Sequence, residues 1–207
     1  MHIPTAPTAA LDILPFDRAL EEYGQHAGGF DRDAWYYIPD TYGEYRYILG
    51  TKGRRPLICA GLNPSTAAPG DLDNTLKSVS RIAAGNGFDS WLMFNVYAQR
   101  ATRPKDMDPA LNVRLHRENM RAFAWALEQS ETQPVVWAAW GAVVETRGYL
   151  KQCLLDMAAI AEKAGARWVK AGPVSVKGHP HHPLYLRKDA QTEDFNIGLY
   201  LAQLHMK

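Results

Sequence analysis

Pro56-Leu57-Ile58-Cys59-Ala60-Gly61-Leu62-Asn63-Pro64-Ser65 decides the fold. The segment opens as a short apolar run, the pattern of a strand buried on both faces. It then breaks into a turn of glycine, asparagine and proline. Beyond the turn, Leu76, Val79, Ile82 and Ala83 recur at helical spacing, with Asp73 as N-cap and Gly85 and Gly87 as the stop. A buried strand followed by an amphipathic helix is the first unit of an α/β sheet.

The unit repeats. Residues 91–97, 135–140 and 167–171 predict further strands. Between and after them, residues 112–129, 149–164 and 194–205 predict helices, the first with Met120, Phe123 and Leu127 on one face. Upstream, residues 16–23 form a short amphipathic piece. Residues 35–38 and 42–49 are rich in aromatics and flank the turn pair Pro39-Asp40, which predicts a hairpin or edge strands. The expected architecture is an α/β, three-layer α/β/α sandwich with a mainly parallel central sheet. Residues 1–41 are expected as an N-terminal extension packed on a domain of residues 42–207. Right-handed crossovers bring the C-terminal strand ends to one side, so the loops beginning at Gly61, Asn95, Gly141 and Gly172 should share a rim.

At 46% hydrophobic and 22% charged, the 207 residues have the composition of one globular domain with a full core. No apolar run approaches the roughly 20 residues of a membrane span. The first ten residues lack the basic start and apolar stretch of a signal peptide, so the cytoplasm is the expected location. Cys59 and Cys153 sit in strand and helix patterns and read as two buried thiols. A formal net charge of +1 lacks the marked basic excess of a dedicated nonspecific DNA binder. There is no Walker loop and no Gly-x-Gly-x-x-Gly, and no cofactor is expected.

Asn63 could position a water or read a base edge with its amide, or it could bond its own loop backbone. Ser65 and Thr66 read as turn or capping residues, since no Gly-x-Ser-x-Gly surrounds them. Asp73 has a ready role as N-cap, and Asp71 remains a candidate water-activating base. Downstream, Gly178-His179-Pro180-His181-His182-Pro183-Leu184-Tyr185 is a stiff loop whose imidazoles could act as acid, base or anion donor. A metal-dependent hydrolase using these histidines is a competing reading, although no His-Glu-x-x-His or Cys-x-x-Cys accompanies them, and no metal site is assigned. A surface role best suits His181. Asn95, inside an apolar strand, is either a structural bridge or a ligand-reading amide. Arg100, Arg103 and Lys105 could meet phosphate or form a solvated loop. Trp140 offers a stacking platform or core packing.

These motifs resemble a bacterial and phage family described only as a domain of unknown function, over roughly residues 42–186. The same layout is similar to the uracil-DNA glycosylase superfamily, especially its mismatch-specific and thymine-DNA branch, although Ser65 stands where that branch has glycine. That resemblance implies that Asn63 holds the attacking water and that Asn95 reads the base. It implies that Phe94 or Tyr97 stacks on the base. It also implies that His182-Pro183 or His179-Pro180 stabilises the leaving base. The expected partner is nucleic acid or a nucleotide-like small molecule, and no membrane. The expected activity is N-glycosidic cleavage in DNA or a nucleotide, with recognition of a base without cleavage as the alternative.

Overall fold

Alternate residues of the central strands belong to two separate hydrophobic cores. On β3 (Pro56–Gly61), Leu57 and Cys59 enter one core and Ile58 and Ala60 the other. On β4 (Ser90–Asn95), Trp91 and Met93 are divided from Leu92 and Phe94 in the same way. The division continues on β5 (Val135–Ala138) and β6 (Arg167–Ala171). The two-residue period of a strand thus places apolar groups on both faces, and both faces must be covered.

They are covered unequally. One core takes side chains from α1 (Phe16–Glu22), α3 (Val113–Glu128), α4 (Leu150–Lys163) and α5 (Ile197–His205). The other takes Leu76, Val79, Ile82 and Ala83 of α2 (Asn74–Gly85), the residues read from the helical spacing. Both cysteines are buried and free, and burial raises both thiols, that of Cys153 to about 12.

The computed structural model describes residues 1–25 and 29–205; residues 26–28, within the expected extension, and 206–207, at the expected domain end, lie outside them. Among the described residues the sheet has seven strands in the order β1-β2-β4-β3-β5-β6-β7, with β1 at Trp35–Ile38, β2 at Ile48–Thr51 and β7 at Thr192–Asp194. The four central strands β4-β3-β5-β6 are parallel, and the pairings β1–β2, β2–β4 and β6–β7 are antiparallel. The sheet is therefore mixed rather than mainly parallel. A parallel pairing needs a crossover, usually an α-helix, and neither β1–β2 nor β6–β7 has an α-helix between its strands; only the short 3-10 turn Pro183–Tyr185 lies between β6 and β7.

Local boundaries also differ from expectation. The strand predicted over residues 42–49 is confined to Ile48–Thr51, with Tyr45 making only an isolated bridge to Gln99. Asp194, expected to start the last helix, instead closes an edge strand, Thr192–Asp194, and α5 begins three residues later. Residues 1–41 supply β1 to the sheet and Ile13, Phe16 and Ala19 to the core.

The chain runs from β3 to β4 on one side, then crosses to β5 on the other side of β3. Such a reversal of strand order leaves a crevice at the C-terminal ends of the two strands that flank it, here β3 and β5.

Candidate functional site

A cavity of about 580 Å³ lies at that crevice, within the usual range of small-molecule sites. All four loops expected at the rim contribute to it. Leu62, Asn63 and Ser65 follow β3, Ala101, Thr102 and Pro104 lie beyond β4, and Gly141, Ala142 and Val143 lie beyond β5. After β6 come Ser175, Pro180, His181, His182, Leu184 and Tyr185. The first turn of α2 adds Asp73, Thr75 and Leu76, and Arg46 and Met93 complete the lining.

Two glycines fit this rim for steric reasons. A Cβ on Gly61 would stand 2.3 Å from Met93 Cε and 3.2 Å from Asn95 Oδ1, so a side chain there would displace the end of Met93 and crowd Asn95. Gly141 has φ of 68°, a backbone conformation that glycine adopts without steric cost.

Asn63 lines the cavity and is also held by its loop. Its amide nitrogen donates to the Ala101 carbonyl at 2.6 Å and to the Pro64 carbonyl at 3.4 Å. Its Oδ1 receives no hydrogen bond among the described residues. Ser65 donates to Asp73 Oδ2 at 2.6 Å, and the Leu76 N–H donates to Asp73 Oδ1 at 2.9 Å, so Asp73 caps α2 as expected. Asp71 is exposed, pairs with Ala68 through the backbone and does not line the cavity. The carboxylate at the site is that of Asp73.

His182 lines the cavity, where burial lowers its pKa while the charge of Asp73 pulls the other way. The Leu184 N–H donates to His182 Nδ1 at 3.3 Å, which in the neutral ring leaves the proton on Nε2. His181, the histidine best suited to a surface role in sequence, lines the cavity too. His179 does not. It is buried, with Nδ1 2.9 Å from the Tyr200 hydroxyl and Nε2 3.2 Å from Glu145 Oε1. His181 and His182 therefore share the cavity, while His179 is held apart by Tyr200 and Glu145. No group of three or more His, Cys, Asp or Glu among the described residues is placed to hold one ion.

The aromatic candidates lie in the core. Phe94 is fully buried against Phe123, with ring centroids 4.8 Å apart. Tyr97 packs on Tyr149, and its hydroxyl accepts the Asn112 N–H at 3.1 Å. Trp140 donates Nε1–H to Tyr200 at 2.9 Å and packs on Trp168, which is its core role rather than a stacking platform. None of the three lines the cavity. Asn95 is fully buried behind Gly61, and neither atom of its amide finds a partner among the described residues. The main-chain carbonyl of Asn95 accepts from Asn119 Nδ2 at 2.9 Å.

The basic loop divides similarly. Arg100 is buried and structural: it donates to the carbonyls of Gly43, at 2.8 Å, and Ser65, and its guanidinium lies 4.3 Å from the centroid of the Tyr42 ring. Arg103 and Lys105 are exposed and stand beside the lining residues Thr102 and Pro104 without lining the cavity themselves. The buried cation on the cavity wall is Arg46, which sequence reasoning missed. Its signal was a charge at the centre of Tyr45-Arg46-Tyr47, inside an alternating aromatic run. Burial, and secondarily the nearby Arg100, push its guanidinium down to about 9, which leaves it charged at neutral pH.

A family model described as a protein of unknown function, DUF1643, matches residues 46–184. No curated protein and no solved structure matches significantly.

Proposed function

The chain belongs to the DUF1643 family, which brings no assigned activity, and we propose that its cavity binds a nucleobase and cleaves the base–sugar bond. The observation that carries this reading is the meeting of Asn63 and His182 on one cavity, from loops far apart in sequence. The proposal includes kinship of fold with the uracil-DNA glycosylase superfamily. Four parallel strands, apolar cover on both faces and a cleft at a reversal of strand order support it.

The roles follow from the hydrogen bonds already made. With its amide nitrogen engaged by Ala101, Asn63 presents Oδ1 as an acceptor that orients a water. That water attacks the anomeric carbon as the C–N bond breaks and its electron pair passes to the base. Neutral His182, donating through Nε2–H, stabilises the charge arriving on a base oxygen. The proton released by the water goes to the departing base or to solvent. A base within a duplex must first leave its stack, at a cost of a few kcal/mol.

Recognition without cleavage is the second reading, and one observation favours it. Asp73 is the only carboxylate on the cavity wall among the described residues, and both its oxygens are engaged, by Ser65 and Leu76. Incubation with uracil-, hypoxanthine- and mismatch-containing DNA and with free nucleotides separates the two. Base release that is lost in both Asn63→Ala and His182→Ala supports cleavage. Base binding without release supports recognition. Release unaffected by either substitution would falsify the residue assignment.

A further inference from the structure

Arg46 is a buried charge with no counter-charge in contact. It is 1% exposed and lines the cavity, yet no carboxylate lies within ion-pair distance of it among the described residues. Its Nη1 donates to the Ala67 carbonyl at 3.0 Å, its Nε is buried without a partner, and Nη2 makes no hydrogen bond among the described residues. After burial itself, the largest influence on it is a second buried guanidinium, Arg100, which opposes its charge; Tyr37, Asp73 and Tyr42 favour the charge more weakly. Arg100 in turn is committed to the carbonyls of Gly43 and Ser65. Burying an ion costs several kcal/mol unless it is compensated. A bound anion supplies that compensation. The planar guanidinium fork also matches a phosphate or carboxylate better than any neutral group. The first turn of α2 brings Thr75 to the same wall, but the Asp73 carboxylate already caps that end of the helix, so the cation offered to an anion is Arg46.

We propose that Arg46 makes one end of this cavity an anion subsite that holds a phosphate of the ligand. Joined to the nucleobase reading, on which this second step rests, the subsite makes the ligand a nucleotide rather than a free base or nucleoside. The phosphate belongs either to a nucleoside monophosphate or to the backbone beside an extruded base. The exposed Arg103 and Lys105 then serve no direct contact inside the cavity.

Calorimetric titration and thermal shift on the full chain test this, with inorganic phosphate, nucleoside monophosphates, the matching nucleosides, and a single-stranded oligonucleotide lacking terminal phosphates. Phosphate should raise Tm above that in chloride at equal ionic strength. A monophosphate should bind roughly tenfold or more tightly than its nucleoside. Arg46→Gln should erase that preference, and Arg46→Lys should restore only part of it, since an ammonium is not a fork. If Arg46→Gln fails to fold by circular dichroism, the wild-type comparisons decide alone.

Phosphate and monophosphates that neither bind nor raise Tm overturn the proposal. So does a monophosphate preference that survives Arg46→Gln. Phosphate binding with no affinity for any base keeps the anion subsite and removes the nucleobase reading. Tighter binding of the oligonucleotide than of any monophosphate assigns the phosphate to a nucleic-acid backbone, and the reverse assigns it to a free nucleotide.

Discussion

Asn63 donates its side-chain amide to the carbonyl of Ala101 across 2.6 Å, tying the loop after β3 to the loop beyond β4. This bond fixes which end of the amide faces the cavity. Asn63→Ala should cost about 1 kcal/mol of stability by leaving the Ala101 carbonyl unpaired. Asn63→Asp should cost more, because a carboxylate oxygen then faces a carbonyl oxygen. Urea denaturation of the two variants ranks them. If Asp is tolerated as well as Ala, the bond does not organise the loop.

His182 gives a pH signature. Its folded pKa is held below the ordinary 6.5 by burial, so the unfolded chain binds its proton first as pH falls. The favourable contribution is complete above 6.5 and is lost as pH falls from there through the folded value. Wild type and His182→Gln should therefore differ by a constant amount at alkaline pH and converge or cross in the acid range. An imidazole titration by NMR with a midpoint at or above 6.5 contradicts the assignment.

Asp73 combines a cap with a charge near the site. Asp73→Ala should destabilise α2 by about 1 kcal/mol, and Asp73→Ser should recover most of that loss. Both variants should lower the His182 pKa further, since each removes the anion that opposes the effect of burial. An unchanged midpoint in both would show that the two groups are electrically independent.

Phe94 distinguishes core from platform. Phe94→Ala should cost about 3–5 kcal/mol, the usual range for an aromatic truncated in a core. The milder Phe94→Leu should remain folded and bind any ligand of the cavity as wild type does, because Phe94 does not line it. A selective loss of affinity in Phe94→Leu, with stability retained, would return the ring to the site.

Local periodicity determined much of the framework. The apolar run at residues 56–60, the helical spacing after Asp73 and the repeats that follow specify strands and helices, because each burial pattern depends on near neighbours in the chain. Topology then carried the rim residues after β3, β4, β5 and β6 to one cavity, as strand–helix alternation implies. The antiparallel edges were less legible. Thr192–Asp194 is a short polar strand without a hydrophobic pattern, and it is defined only by its hydrogen bonds to β6.

The direction of each polar side chain at the rim was a tertiary decision. Asn63 lies just beyond β3 and Asn95 closes β4, yet Asn63 meets the cavity and Asn95 is buried behind Gly61. His179 and His182 share one loop, but contacts with Tyr200 and Glu145 hold His179 while His182 remains on the cavity wall. Arg100 was expected at the ligand and binds loop carbonyls, whereas Arg46, hidden in an aromatic run, reaches the site. Short-range burial patterns, written in the order of residues, specify most of the elements and the edge at which their loops gather. Which side chains face the cavity depended on hydrogen bonds between segments distant in the chain, and only the tertiary structure sets those.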